Sequence, residues 1–185
     1  MRIISGTRKG MRLQAPAGRA VRPTPDRVRE ALMSILGGRF DGERVLDLFA
    51  GTGAVGLECA SRGCGELVLV ERASEALVAL KDNVARFGSQ PPISVMSVGM
   101  RRAIEVLADR GARFDLIYLD PPYGHGLELE ALERLLQHGL LAPAGQVWVE
   151  TETEMVDAPE SLRRVDHRRY GRVHLHGFEE ASRDA

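Results

Sequence analysis

Val45-Leu46-Asp47-Leu48-Phe49-Ala50-Gly51-Thr52-Gly53-Ala54-Val55-Gly56-Leu57-Glu58 reads as a buried strand that enters a glycine turn and leaves along a helix. Gly51, Gly53 and Gly56 permit a tight turn, close approach of a ligand to the backbone and close packing of the helix on the strand. The start of that helix adds N–H groups with no intrahelical partner. The spacing fits the dinucleotide pattern G-x-G-x-x-G, and Glu71 ends the next apolar run, VLVE, where a ribose-binding acid belongs. Asp47 argues against a dinucleotide, because a carboxylate at the mouth of the strand repels a pyrophosphate at close range. It favours a cationic ligand that still carries a ribose. S-adenosylmethionine has a sulfonium, an ammonium and no phosphate, and meets both conditions.

The chain of 185 residues with 44% hydrophobic side chains has material for one sizeable core. Two cysteines, Cys59 and Cys64, are too few for a disulfide framework and have no zinc-type companions, so they read as core or helix-end thiols. No apolar run has membrane-spanning length and the N-terminus lacks a signal-peptide core, so a soluble, cytoplasmic protein with no membrane partner is expected. The net charge of −1 conceals an asymmetry. Residues 1–30 hold eight Arg or Lys against two acids, whereas the remainder holds seventeen against twenty-four. Such a split outlines a polyanion-binding arm on an ordinary domain. Arginine outnumbers lysine by 23 to 2 throughout, so genome composition offers a competing explanation of part of the excess.

Arg2-Ile3-Ile4-Ser5 and Met11-Arg12-Leu13-Gln14 flank Gly6-Thr7-Arg8-Lys9-Gly10 and predict a hairpin with charge at its tip. The expected organisation is a basic hairpin and linker over residues 1–24, an RNA-binding extension, followed by a catalytic domain over residues 25–185. The hairpin supplies no strand to a nucleotide crevice, so its loss is expected to change donor affinity and stability little. Thr24 reads as the N-cap and Pro25 as the first residue of a helix with the stripe Val28, Ala31, Leu32, Ile35 and Leu36. Strands and helices then alternate: helix 54–61, strand 67–70, helix 74–87, strand 93–98, helix 101–110, strand 114–119, helix 127–138, strand 146–150. The segments 162–170 and 172–178, joined at Gly171, predict a closing antiparallel hairpin. This is βαβ rhythm, whose ligands lie beyond the carboxyl ends of the strands, so Asp47, Glu71, Gly99, Met100 and Asp120 are expected to open onto one crevice.

Asp120-Pro121-Pro122-Tyr123 follows an apolar strand directly. Two prolines stiffen the turn and remove two backbone donors, leaving carbonyls without competition. Such a site suits a target that is itself a donor: the exocyclic amine of a base. The Asp120 carboxylate and the Pro121 carbonyl can accept both amine hydrogens, while Tyr123 offers a stacking face. An ordinary carboxylate pKa suffices, since the amine becomes acidic only as it gains the methyl.

The motifs LDLFAGTG and LDPPY, with Glu71 between them, resemble the class I S-adenosylmethionine-dependent amino-methyltransferases. The run Arg22-Pro23-Thr24-Pro25-Asp26-Arg27-Val28-Arg29-Glu30 narrows the resemblance to the bacterial 16S rRNA (guanine(966)-N(2))-methyltransferase family, over nearly the whole chain. The resemblance implies an α/β, Rossmann-like fold with a seven-stranded, mostly parallel sheet and a C-terminal antiparallel hairpin. It implies S-adenosylmethionine as cofactor and one guanine of 16S rRNA as acceptor. The expected partner is 16S rRNA within the 30S subunit or an assembly intermediate, with free RNA left open, and a monomer is expected. Carried over residue by residue, Asp47, Phe49, Ala50, Gly51, Thr52, Gly53, Glu71, Arg72, Gly99, Met100 and Asp120 would bind the cofactor. Asp120, Pro121, Pro122 and Tyr123 would be catalytic. The charge of residues 1–30, rather than the resemblance, makes Arg8, Lys9, Arg12, Arg22, Arg27 and Arg29 the expected RNA-binding residues. One departure matters: after the third strand the family usually places an Asp for the adenine amino group, where this chain has Gly99-Met100.

A DNA adenine-N6 or cytosine-N4 methyltransferase is the alternative, because the same motifs serve any exocyclic amine. The chain leaves only a short basic arm beyond the catalytic sheet for base reading, whereas a folded RNA offers recognition by shape. A non-catalytic RNA-binding module is disfavoured by the intact Asp120 to Tyr123 motif. His174 and His176 alternate along one strand and His167 lies in the strand paired with it, but no acid or cysteine accompanies them. No metal is therefore expected.

Overall fold

The computed structural model describes residues 1–16, 26–122 and 126–181. Contacts divide the chain into two compact units, Met1–Gly99 and Met100–Ala185. The first unit opens with the basic hairpin, in which Arg2 and Arg12 form an antiparallel bridge. Its elements are α1 (Asp26–Ile35), β1 (Arg44–Asp47), α2 (Ala54–Ser61), β2 (Glu66–Val70), α3 (Ser74–Phe87) and β3 (Ile93–Met96). The strands are parallel in the order β3-β2-β1, with Val45 level with Leu67 and Leu67 level with Ile93. Continuous apolar burial of Val45, Leu46 and Leu67 to Val70 is what a parallel strand covered on both faces requires.

The second unit holds α4 (Met100–Asp109), β4 (Phe114–Leu119), α5 (Leu127–Gln137), β5 (Leu141–Thr151), β6 (Leu162–Tyr170) and β7 (Val173–Glu180). Strand order here is β4-β5-β7-β6; β4 and β5 are parallel, and β7 runs antiparallel to both β5 and β6. Trp148 of β5 faces Gly177 of β7, where an added Cβ would lie 2.7 Å from the indole, so glycine makes room for the largest buried side chain. The expected seven strands are all present, with a parallel core and an antiparallel C-terminal pair. The main boundary difference is β5, which starts at Leu141 rather than near Gln146, because Leu141 pairs with Phe114 across a register shift. No helix among the described residues is long and apolar enough to cross a membrane.

The N-terminal hairpin packs closely on the rest of the first unit. Ile3 and Leu13 are buried at 0% and 7% exposure. Glu58, fully buried on α2, accepts the N–H groups of Ile4 at 2.8 Å and Ser5 at 3.0 Å. Ser61 adds three bonds: its carbonyl accepts from Thr7 at 2.7 Å, its hydroxyl oxygen accepts from Arg8 N at 2.9 Å, and the hydroxyl donates to Ser5 O at 2.6 Å. At Gly6, φ is +84° and a Cβ would sit 1.8 Å from the Ser61 carbonyl oxygen, so only glycine lets the hairpin lie this close to α2. Buried apolar contacts and a buried carboxylate answered by backbone donors make the hairpin part of the core of the first unit.

Candidate active site

In the first unit, β1 delivers Asp47 and the glycine loop to its carboxyl end. Ala50 N donates to Val70 O at 2.8 Å, tying the loop to β2, and Gly53 N donates to Ala50 O at 2.6 Å, closing the turn. Gly51 and Gly53 have φ of 54° and 82°, and a Cβ at Gly53 would lie 2.6 Å from Leu80 Cδ1. Asp47 is 1% exposed, and its Oδ2 accepts the N–H of Gly56 at 3.1 Å near the start of α2, where the helix dipole favours negative charge. A Cβ on Gly56 would meet Leu69 Cδ2 at 2.4 Å, so the third glycine sets how closely α2 packs on β2.

Glu71 stands half-buried just past β2. Its Oε2 accepts the N–H of Gly51 at 2.9 Å, while Oε1 accepts from Arg72 N at 2.7 Å and Ala73 N at 2.6 Å. Three backbone donors fix the carboxylate, and each carboxylate oxygen can accept a second bond, so Oε2 retains capacity for a hydroxyl donor. Phe49 is half-buried and Ala50 and Thr52 are buried. A Cβ at Gly99 would meet only the Cδ of Arg72, at 3.9 Å, so the Gly99 backbone is approachable beside the exposed Arg72. Asn83 was not among the expected site residues. It is fully buried on α3, where Nδ2 donates to Thr52 O at 3.0 Å and Gln14 O at 3.1 Å while Oδ1 accepts from Gln14 N at 2.7 Å. Its signal in the sequence is a polar residue within the apolar stripe Ala76, Ala79, Leu80 and Phe87.

In the second unit, Met100 opens α4 and is 7% exposed, buried on the same helix face as Ala103, Ile104 and Leu107. Its side chain serves the core. The buried run of β4 brings Asp120 to its carboxyl end, with Asp120 half-buried, Pro121 buried and Pro122 exposed. Tyr123 and His125 lie outside the described residues. Two residues before Asp120, the buried Tyr118 hydroxyl donates to Glu150 Oε2 of the neighbouring β5, anchoring the end of the strand.

Of the residues expected to bind RNA, Arg8, Lys9, Arg12 and Arg27 are exposed, and the Arg8 guanidinium lies 5.7 Å over the Phe87 ring. Arg22 lies outside the described residues. Arg29 is a correction: it is 0% exposed, donates to Arg2 O at 2.6 Å and Asp26 Oδ1 at 3.1 Å, and stands 3.6 Å from Glu58. A cation enclosed by these partners cannot reach a phosphate. Exposed arginines also line β6 and its turn, at Arg163, Arg164, Arg168, Arg169 and Arg172, where neighbouring acids hide them in a charge count by segment. The thiols are chemically quiet: burial pushes Cys59 up and Cys64 up to about 12, which suppresses the thiolate. Burial lowers the pKa of His176 to about 4 and that of His174 below the usual imidazole value.

Residues 1–179 match a family model described as conserved hypothetical protein 95. Ribosomal RNA small subunit methyltransferase D of Escherichia coli K12 is 35% identical over 154 residues, covering 83% of this chain and 76% of the relative. The protein of the same name from Haemophilus influenzae is 30% identical over 155 residues, covering 83% and 80%. Among solved structures, the Escherichia coli protein yhhF has a TM-score of 0.85 at 30% identity, with 99% of each chain covered. A second, from Thermus thermophilus, has a TM-score of 0.77 at 34% identity, covering 96% and 98%.

Proposed function

The chain belongs to the family described as conserved hypothetical protein 95, has the Rossmann-like class I methyltransferase fold, and on this basis we propose that it methylates the exocyclic N2 of one guanine in 16S rRNA. The donor is S-adenosylmethionine and the substrate is the 30S subunit or an assembly intermediate in the cytoplasm, met by a monomeric enzyme. The observation that carries the reading is the Glu71 carboxylate held on the Gly51 N–H of the glycine turn, in a chain that also places Asp120-Pro121-Pro122 directly after a buried strand.

The residues present fit the donor. Glu71 Oε2 would accept a ribose hydroxyl, the Gly51 to Gly53 turn would admit the methionine portion, and the buried carboxylate of Asp47 would supply negative charge at that end. Adenine would lie by Gly99, where the glycine leaves the backbone open beside Arg72. When bound, the donor supplies an electrophilic methyl on sulfonium sulfur. Asp120 and the Pro121 carbonyl accept the two amine hydrogens of the guanine and orient its nitrogen, and Tyr123 stacks on the base. As the nitrogen gains carbon it becomes acidic, and Asp120 holds the departing proton. Most of the acceleration is positioning, which the rigid proline pair and the Tyr118–Glu150 anchor favour. The guanine leaves its stack to reach this site.

Radiolabelled methyl transfer to 30S subunits lacking the modification tests the reading. Incorporation recovered as N2-methylguanine is expected, and Asp120→Ala should retain the donor while losing transfer by orders of magnitude. Label in DNA adenine or cytosine, or near-normal turnover of Asp120→Ala, overturns it.

A further inference from the structure

The antiparallel pair β6–β7 gathers three imidazoles. His167 lies opposite His176 in the register, and His174 precedes His176 by two residues on the same face of β7. One ring nitrogen of each lies within 4.8 Å of the others. His167 Nε2 and His174 Nδ1 are 2.9 Å apart, and the His167 and His176 rings stack with centroids 4.5 Å apart. His174 is 5% exposed and His176 is 0% exposed. The ring of His176 is oriented from outside the cluster, since its Nε2 lies 3.2 Å from the Thr153 carbonyl and can only donate there. That leaves Nδ1 as the lone-pair nitrogen, and it is buried with no hydrogen-bond partner among the described residues. Buried acceptors are seldom left unanswered, because each costs about 1–3 kcal/mol.

We propose that His167, His174 and His176 form a binding site for one divalent transition-metal ion of the zinc class. Neutral imidazole is a preferred ligand of zinc, copper and nickel, and three histidines with an open fourth position are an established zinc ligand set. No acid or cysteine accompanies the three histidines, but three convergent imidazoles need neither. A ligating histidine ordinarily donates its second N–H to a carbonyl or carboxylate, which is the relation between His176 and Thr153. Zinc–nitrogen bonds of about 2.0–2.1 Å put tetrahedral ligand nitrogens roughly 3.3 Å apart. The His167–His174 pair is already within that separation, whereas the 4.8 Å limit allows the third nitrogen to be farther away. The rings are within 15° of parallel, so loading turns them about χ2, a broad torsion for histidine. Arg164 and Arg169 act on the cluster as like charges and Glu154 as an opposite one. The bound ion would staple β6, β7 and the Thr153 segment, independently of the methyl-transfer reading.

The test uses full-length protein without an affinity tag, stripped with chelator. Zinc chloride followed by calorimetry should bind with one-to-one stoichiometry and raise the unfolding temperature. Cobalt chloride should give the visible absorption of a tetrahedral site, without a thiolate charge-transfer band. His174→Ala removes a buried ligand; His167→Gln, on the edge strand and half-buried, is the variant that keeps the fold. Each should weaken zinc at least tenfold. Absence of saturable binding, equal binding by His167→Gln, or a thiolate band pointing to Cys59 and Cys64 overturns the proposal.

Discussion

Asn83 donates its side-chain amide to the carbonyl of Thr52 at 3.0 Å, from a position with no solvent exposure, and so ties the middle of α3 to the glycine turn. The same side chain exchanges two bonds with the backbone of Gln14, at the end of the N-terminal hairpin. Turn, helix and hairpin thus meet at one amide. Asn83→Asp keeps the acceptor for Gln14 but faces two carbonyls with a carboxylate. We expect it to lower stability by about 2–4 kcal/mol and to weaken donor affinity about tenfold, measured by urea unfolding and calorimetry. Unchanged affinity in the folded variant would show that the turn holds its shape without Asn83.

Glu71 holds the Gly51 N–H, and in the function proposed above it also presents an oxygen to a ribose. Glu71→Gln replaces one acceptor oxygen with a donor that opposes the N–H groups of Gly51 or of Arg72 and Ala73. Losing a charge-assisted bond costs about 1.5–3 kcal/mol, so donor affinity should fall roughly ten- to a hundredfold. An unaltered dissociation constant removes Glu71 from the ribose.

Two kinds of change separate the structural from the electrostatic role of the hairpin. Deletion of residues 1–14 exposes the surface under Ile3 and Leu13 and takes two N–H donors from the buried Glu58 carboxylate, which keeps Arg62 at 2.8 Å, so stability should drop by at least about 3 kcal/mol in denaturant unfolding. Joint substitution of the exposed Arg8, Lys9 and Arg12 by Ala should leave stability nearly unchanged and flatten the salt dependence of RNA binding. The expected change in slope is roughly 0.7–0.9 per lost phosphate contact in log K against log salt. Arg29→Met should do the reverse, because Arg29 is enclosed by Arg2, Asp26 and Glu58. An intact slope in the triple variant would move RNA contact to another surface, such as the arginines of β6.

Arg101 and Arg134 hydrogen-bond the carboxylate of Glu130 between α4 and α5 and hold its pKa down to about 2 from an ordinary 4.5. The folded value is the lower one, so the contribution is present above 4.5 and disappears as pH falls towards 2. Arg101 is largely exposed and screened by water, so Glu130→Gln should cost less than about 1 kcal/mol at neutral pH. Urea unfolding across this acid range should show a shallower loss of stability in the variant than in the parent. Parallel curves would mean that Glu130 titrates alike in folded and unfolded chains.

Periodicity and turn chemistry were enough to place the helices 54–61 and 74–87 and the strands 114–119 and 162–170, because each is set by local spacing of apolar residues and by glycine or proline at its ends. The acid–glycine–acid order of Asp47, Gly51 and Glu71 was legible for the same reason: a strand, its turn and the next strand end lie within one βαβ unit. The tertiary structure alone decided which charges are free. Arg29 and Arg27 are indistinguishable in composition, yet a partner carboxylate on α2, 29 residues on from Arg29, draws one into the core and leaves the other in water. Asn83, Glu58 and the three imidazoles of β6 and β7 acquire their roles in the same way. Burial and hydrogen bonding depend on which distant backbone arrives beside a side chain, and that meeting is set by packing of whole elements rather than by any local pattern.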